Sequence, residues 1–420
     1  MNLHRTFFIL IHLVLEADGR FARSRRYGRV REETKSLEEL YAEAIAEGGD
    51  LLVYHGGDLP DAEDAVANAF RKAFPQINIT IVVDYSKYHD ARVDYQLETD
   101  TLIADIVALQ TVQDYPRWKR EGQLLYYKPA GFSAVYDGFK DVRDGAWFSH
   151  VVYTFSYFYD TELLAAEGLQ PPATAEDLAD PQYTNLIASS YPHDDDASLF
   201  VYARYVDYYG WEWVKRFADR QVEFNRGSNT PREAVASKHK AIGLAGSAPG
   251  GIDTVRVMIG PNATSPYLSW GQRMAILRRA PHPAAAKLFA NWIISLEVQT
   301  TLLAGLSTRT DIPTPPGTLS PWQIRQANSL CFQRFMEDRA NIERLKAIFA
   351  LHFGEVRGEP TPGQLGLYPG QITAESAALN TTLHRYFPIP ACCMIQPYDL
   401  GLVAVKLSEF NGRLGMFWIN

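Results

Sequence analysis

The densest polar cluster in the chain is His193-Asp194-Asp195-Asp196, three carboxylates and an imidazole placed just before a helical stretch. Carboxylates at a helix start cap its free N–H groups and sit at the positive end of its dipole, which accounts for some of the run. The same run, brought into a cleft, would make it acidic and suit a cationic solute or a hydrated metal, although no clean metal-ligand spacing is present. Ser228-Asn229-Thr230 offers the opposite chemistry: hydroxyl, amide and backbone N–H groups at a helix start suit a phosphate or carboxylate. Together the two loops would hold a zwitterion or a polar organic solute. His55-Gly56-Gly57-Asp58 ends an apolar run, and its glycines either let backbone approach a ligand closely or serve only the turn. Ser190 opens the loop that carries the acidic run, and Thr111 follows another apolar run. No nucleophile elbow, P-loop, HExxH or dinucleotide glycine pattern occurs. The expectation is therefore binding without catalysis, with no cofactor and no resident metal.

The elements that must position these loops follow from periodicity. Ser36 and Glu39 form a capping box for a helix over Ser36 to Ala46, and the short apolar run Leu51 to Tyr54 is a strand. Val66, Ala69, Phe70, Ala73 and Phe74 share one helical face, stopped by Pro75, and Ile77, Ile79, Ile81 and Val83 alternate as a second strand. A helix from about Tyr88 to Thr101 leads to a third strand, Ala104 to Leu109. Strands separated by helices of this length form a parallel sheet. The aromatic and β-branched stretch Trp147 to Tyr159 is too long for an edge strand and is expected to cross between lobes. A second α/β unit follows: a capping box at Thr174 and Asp177, strands at Asn185 to Ser189, Gln221 to Phe224 and Ala241 to Ala245, and helices from about Ala197 and Pro231. Gln272 to Arg278 is expected to be extended, Pro283 to Gln299 an amphipathic helix, and Trp322 to Phe353 further helix.

A chain of 420 residues exceeds what one core efficiently fills, so two lobes are expected. A net charge of −8 supplies no global basic field for a nucleic-acid partner. Three cysteines, Cys331, Cys392 and Cys393, cannot build a disulfide framework or a four-thiolate zinc site. Thr6 to Leu15 is too short an apolar run to span a membrane but fits the core of a secretory signal peptide. Sequons at Asn78, Asn262 and Asn380 are acceptors in a eukaryotic secretory route. The chain thus divides into a signal peptide (1–19), a linker and short helix (20–48), lobe 1 (49–155 plus 250–350), lobe 2 (156–249), a short end region (351–370) and an unassigned tail (371–420).

The run Met274 to Gln299, MAILRRAPHPAAAKLFANWIISLEVQ, resembles a characteristic segment of the extracellular solute-binding proteins of ABC importers, with the iron(III)-binding branch nearest in character. Leu51 to Asp58 (LLVYHGGD), Ala104 to Thr111 (ADIVALQT), Phe158 to Thr161 (FYDT) and Ala175 to Ile187 (AEDLADPQYTNLI) resemble further segments of that family in order. The resemblance spans roughly Gly49 to Gly370. It implies an α/β fold of two Rossmann-like lobes with a hinge, the class II periplasmic-binding-protein arrangement, and a small polar solute held in the cleft. It implies a secreted or, in a bacterium, periplasmic monomer with no stable membrane span, and the sequons would fit a fungal secreted homologue.

Iron-binding members use two adjacent tyrosines late in the second lobe and a histidine after the first strand. Here Asp58 stands at the histidine position, and Ala245-Gly246-Ser247-Ala248 where the tyrosines would be, leaving Ser247 as the polar group. The hard anionic ligands that ferric iron favours are therefore missing. Tyr126-Tyr127 and Tyr208-Tyr209 read as packing residues. A competing reading is an enzyme on the same fold, like the pyrimidine synthases of thiamine biosynthesis, but the cysteine-rich motif of those enzymes is absent from the second lobe. A third is a binding fold that has lost its ligand.

Overall fold

The computed structural model describes residues 30–358 apart from 315 and 316. The expected signal peptide, the unassigned tail with Cys392, Cys393 and Asn380, and most of the end region lie outside the described residues.

Helix α1 (Leu37–Glu47) begins with the expected reciprocal capping box of Ser36 and Glu39. In chain order there follow β1 (Asp50–Gly56), α2 (Asp64–Ala73), β2 (Asn78–Asp84), α3 (Ser86–Glu98), β3 (Ile106–Leu109) and α4 (Asp114–Arg120). The long strand β4 (Phe148–Asp160) leads to α5 (Thr161–Ala166), β5 (Ile187–Ser190), α6 (Asp196–Tyr209), α7 (Trp211–Ala218) and β6 (Glu223–Asn225). Next come α8 (Thr230–Ala236), β7 (Ile242–Gly246), β8 (Val255–Val257), β9 (Leu268–Ile276), α9 (Pro283–Ile293), α10 (Leu296–Thr300), α11 (Cys331–Glu337) and α12 (Arg339–Phe353).

One sheet runs in the order β2-β1-β3-β9-β4-β7-β5-β6, with β8 beside β4. Strands β1, β2 and β3 are parallel neighbours, as are β5, β6 and β7. Between the two parallel groups lie β9 and β4, both antiparallel to what they meet. Strand β4 pairs with β9 over Phe148 to Phe155, then, past a register shift at Ser156, with β7. The aromatic stretch expected to cross between lobes is thus a continuous strand belonging to both halves.

Each half has its own core. Val53, Phe70, Ile79, Ile81, Leu288 and Phe289 sit in one, and Tyr157, Phe200, Tyr202, Trp213, Phe217 and Leu244 in the other. Helices α11 and α12, placed in lobe 1 by sequence, instead pack on the second half: Phe332, Met336, Leu345 and Phe349 join its core, and the Phe349 ring lies 5.7 Å from Tyr202. The apolar faces of α6 and α7 carry more aromatic surface than their own β-strands cover, and these late helices bury it.

Two local expectations are corrected. The stretch 283–299 is two helices, because Ser295 caps a new one, and Leu296, expected on the buried face, is exposed. At Asp177 there is only a 3-10 turn over Asp177–Ala179; its carboxylate receives the N–H groups of Ala173 and Thr174.

Candidate functional site

The two parallel groups of strands point their C-terminal ends at each other across a cleft, the place where open α/β sheets bind ligands. A cavity there, of about 310 Å³ including space open to solvent, is lined by Tyr85, Ser86, Lys87, Gln110 and Thr111 from the first half. Asp194, Asp195, Asp196 and Gly227 line it from the second.

From the first half, β2 ends at Asp84 and the chain turns directly into α3, so Tyr85, Ser86 and Lys87 lie at the lip. The Ser86 hydroxyl receives the N–H of Gln110 at 2.9 Å and ties this loop to the one after β3. Thr111 is 1% exposed; its hydroxyl, beside the Asp114 carboxyl, makes no hydrogen bond of acceptable geometry. From the second half, Asp195 is the N-cap of α6, accepting the N–H of Ser198 at 2.7 Å.

Contacts join the halves around the cavity. Lys87 donates to the Asp194 carboxylate at 2.5 Å and to its carbonyl at 2.7 Å. Arg226 donates to the same carboxylate and to the Tyr88 hydroxyl, each at 3.2 Å. Asp58 receives the N–H and the hydroxyl of Ser228, at 2.6 and 2.5 Å. Gly227 has φ +84°, and a Cβ there would stand 2.9 Å from the Tyr85 hydroxyl, so both conformation and closeness require glycine.

Burial dominates the electrostatics. It pushes the Asp195 carboxyl up to about 7, aided by the charges of Asp58 and Asp196 and opposed by the N–H of Ser198. It also raises Asp58 against the pull of its Ser228 donors. Half-buried Asp90 lies against buried Asp114: desolvation raises both, the Asp114 charge lifts Asp90 further, to about 8, and Arg117 pulls Asp114 back down. His193 is lowered by burial, so it is chiefly neutral at pH 7.

Of the residues singled out from sequence, Thr111, Asp194 and Asp195 line the cavity, and Asp58 with Ser228 closes its border. The others have structural engagements. His55 is buried, 3.4 Å from His150 through their Nε2 atoms and 3.5 Å from Glu63. Gly56 makes room for Ser86, whose Oγ would lie 2.0 Å from an added Cβ, and Gly57 makes room for Val83. Ser190 is fully buried, bonded to Ser198 and to the Ala245 carbonyl. His193 meets the Gly354 carbonyl, Asn229 meets Glu233, Thr230 meets the Arg226 carbonyl, and Ser247 meets the Thr154 carbonyl. Sequence reasoning passed over Tyr85, Ser86, Lys87, Gln110, Arg226 and Gly227. The signal for the first three was available: they follow a parallel strand and open a helix, the same position used to select the other loops.

A family profile described as bacterial extracellular solute-binding protein matches residues 65–323, more than half of the chain. The chain belongs to this family. Solved structures of such binding proteins share its fold at low sequence identity. A substrate-binding protein of an ABC transporter from Agrobacterium tumefaciens is 14% identical with a TM-score of 0.61, covering 72% of this chain and 94% of that one. AfuA from Actinobacillus pleuropneumoniae, with fructose-6-phosphate bound, is 15% identical with a TM-score of 0.57, covering 72% and 98%. Iron-bound HitA from Pseudomonas aeruginosa is 17% identical with a TM-score of 0.56, covering 71% and 99%. No curated protein matches the sequence. The two-lobed α/β fold and the solute-binding role of the family therefore apply to this solute-binding protein. Among its described residues no helix is long and apolar enough to cross a membrane.

Proposed function

We propose that this chain is a secreted, monomeric receptor that closes its two lobes around one small polar solute and releases it unchanged. The observation that carries the reading is the cavity itself: both halves line it, strand ends and helix starts meet there, and the buried Thr111 hydroxyl has only a poorly aligned neighbour, the Asp114 carboxyl. A ligand that bonds this hydroxyl in good geometry recovers part of the cost of its poor pairing, which is at most about 1–3 kcal/mol for a wholly unpaired group. The ion pair and hydrogen bonds from Lys87 to Asp194 and from Ser228 to Asp58 form only when the lobes meet, so a solute that draws the lobes together is reinforced by them.

Iron, as in the iron-bound HitA structure, is disfavoured. Tyr208 is exposed on α6, Tyr209 packs against Tyr205, and the Tyr127 hydroxyl is bonded to Glu33 and Asn291, so neither tyrosine pair faces the cleft. A sugar phosphate, as in the AfuA structure, needs free cations, whereas Lys87 and Arg226 are both held by Asp194. A thermal-shift screen of amines, amino acids, carboxylates, phosphates, sugars and metals tests the reading. At least one small solute should raise the melting temperature by several degrees, and a flat response across all classes would sink it.

A further inference from the structure

The charge of the solute is set by the groups that surround the cavity. Its basic groups are already spoken for. Lys87 on α3 and Arg226 after β6 share Asp194, and Lys346 on α12 pairs with Asp196 at 3.1 Å. Arg117 on α4 is divided among Asp94, Asp114 and Glu121. Against this, three carboxylates at or around the cavity form no ion pair with Lys or Arg among the described residues. Asp195 holds the N–H of Ser198, Asp58 holds Ser228 and the N–H of Asn229, and Asp90 lies against Asp114. The acidic excess comes from both halves and from three separate elements, so it is a property of the cleft and not of one helix start.

A second observation is independent of charge. Thr111, 1% exposed, lines the cavity with a hydroxyl that makes no well-formed hydrogen bond and has only the buried Asp114 carboxyl for a neighbour. A fold tolerates such groups where a ligand completes them. An anion would add charge to an acidic cleft whose cations are occupied, whereas an ammonium donates in three directions and removes the like-charge repulsion at once.

We infer that the cleft takes a small organic cation, a protonated amine of few heavy atoms, whose ammonium is received by Asp195 and the Thr111 hydroxyl on opposite sides of the cavity. This rests on the reading that the cavity binds a solute at all. Glycine at 227 and the modest size of the space favour a short chain over a bulky quaternary head.

Titration calorimetry at pH 8 with ethanolamine, putrescine and guanidinium, against glycolate, inorganic phosphate and fructose-6-phosphate, tests it. At least one cation should bind, and the anions should not. Asp195→Asn keeps an N-cap oxygen for Ser198 but removes the charge, and should weaken that cation at least tenfold without loss of folding. Thr111→Val should weaken it several-fold while leaving the free protein as stable as before or more so. Binding of an anion but of no cation overturns the cationic solute and leaves the solute-binding reading standing. Binding of neither, with no solute responding in the broad screen, overturns both. Cation binding that survives both substitutions unchanged overturns this placement.

Discussion

Replacing Asp195 by Asn should stabilise the ligand-free protein at pH 8 and do so much less at pH 4.5. Asp195 caps α6 through the N–H of Ser198, a role that Asn performs about equally well. What Asn lacks is the charge. Burial, with Asp58 and Asp196 nearby, lifts the Asp195 carboxyl from 3.8 to about 7. The folded protein therefore keeps this proton over a range where the unfolded chain has released it. Stability from this group falls as pH rises from about 4 to 7, and the full cost is present above 7. About three units at about 1.4 kcal/mol each set a ceiling near 4 kcal/mol. Asp195 keeps some solvent contact at the cleft, which brings the expected gain to about 2 kcal/mol, or roughly 3–6 °C in a chain of this size. Thermal unfolding of both proteins, without solute, at pH 4.5, 6 and 8 measures it. A variant that is less stable at pH 8, or that differs from the parent by the same amount at every pH, refutes the assigned role of burial.

Asp194→Asn leaves Lys87 and Arg226 without their shared carboxylate and removes the ion pair between the lobes; a cost of about 1–3 kcal/mol shifts the closed-to-open ratio roughly 5- to 150-fold, visible as a larger radius of gyration in solution scattering. Gly56→Ala puts a Cβ 2.0 Å from Ser86 Oγ and should cost about 1–3 kcal/mol in chemical denaturation, with a smaller increment in a Ser86→Ala background. His282 is raised by its bond to buried Asp105, so this pair contributes stability below about pH 6.5 and loses it as pH rises through the folded-state value. His282→Gln should therefore cost about 1–2 kcal/mol at pH 5.5 and much less at pH 9.

Periodicity carried the fold a long way. The capping box at Ser36, the strands over 50–56 and 78–84, and the α6 start at Asp195 are local features, readable from neighbours in sequence. The packing of Phe332 and Phe349 on the second core is not, since it depends on aromatic surface about 130 to 150 residues earlier in the chain. The site divides in the same way. Choosing loops after parallel strands led to Thr111, Asp194 and Asp195, which line the cavity. It led equally to Ser190 and His55, because no local signal tells a hydroxyl aimed at the Ala245 carbonyl, or an imidazole aimed at His150, from one aimed at a solute. The glycines at 56 and 57 looked like room for a ligand, yet the groups that need the room are Ser86 and Val83, thirty and twenty-six residues later. Lys87 escaped notice because a single lysine in the first turn of a helix looks like solvated surface until its partner, Asp194, arrives from the other half.

The central claim is that one solute sits between the lobes. Native mass spectrometry of the protein mixed with small polar solutes, beside a Gln110→Trp variant that fills the cavity from its rim, tests it most directly. A one-to-one adduct is expected on the parent protein and should be lost in the variant. An adduct that persists undiminished in the variant, or no adduct with any solute class at millimolar concentration, would contradict it.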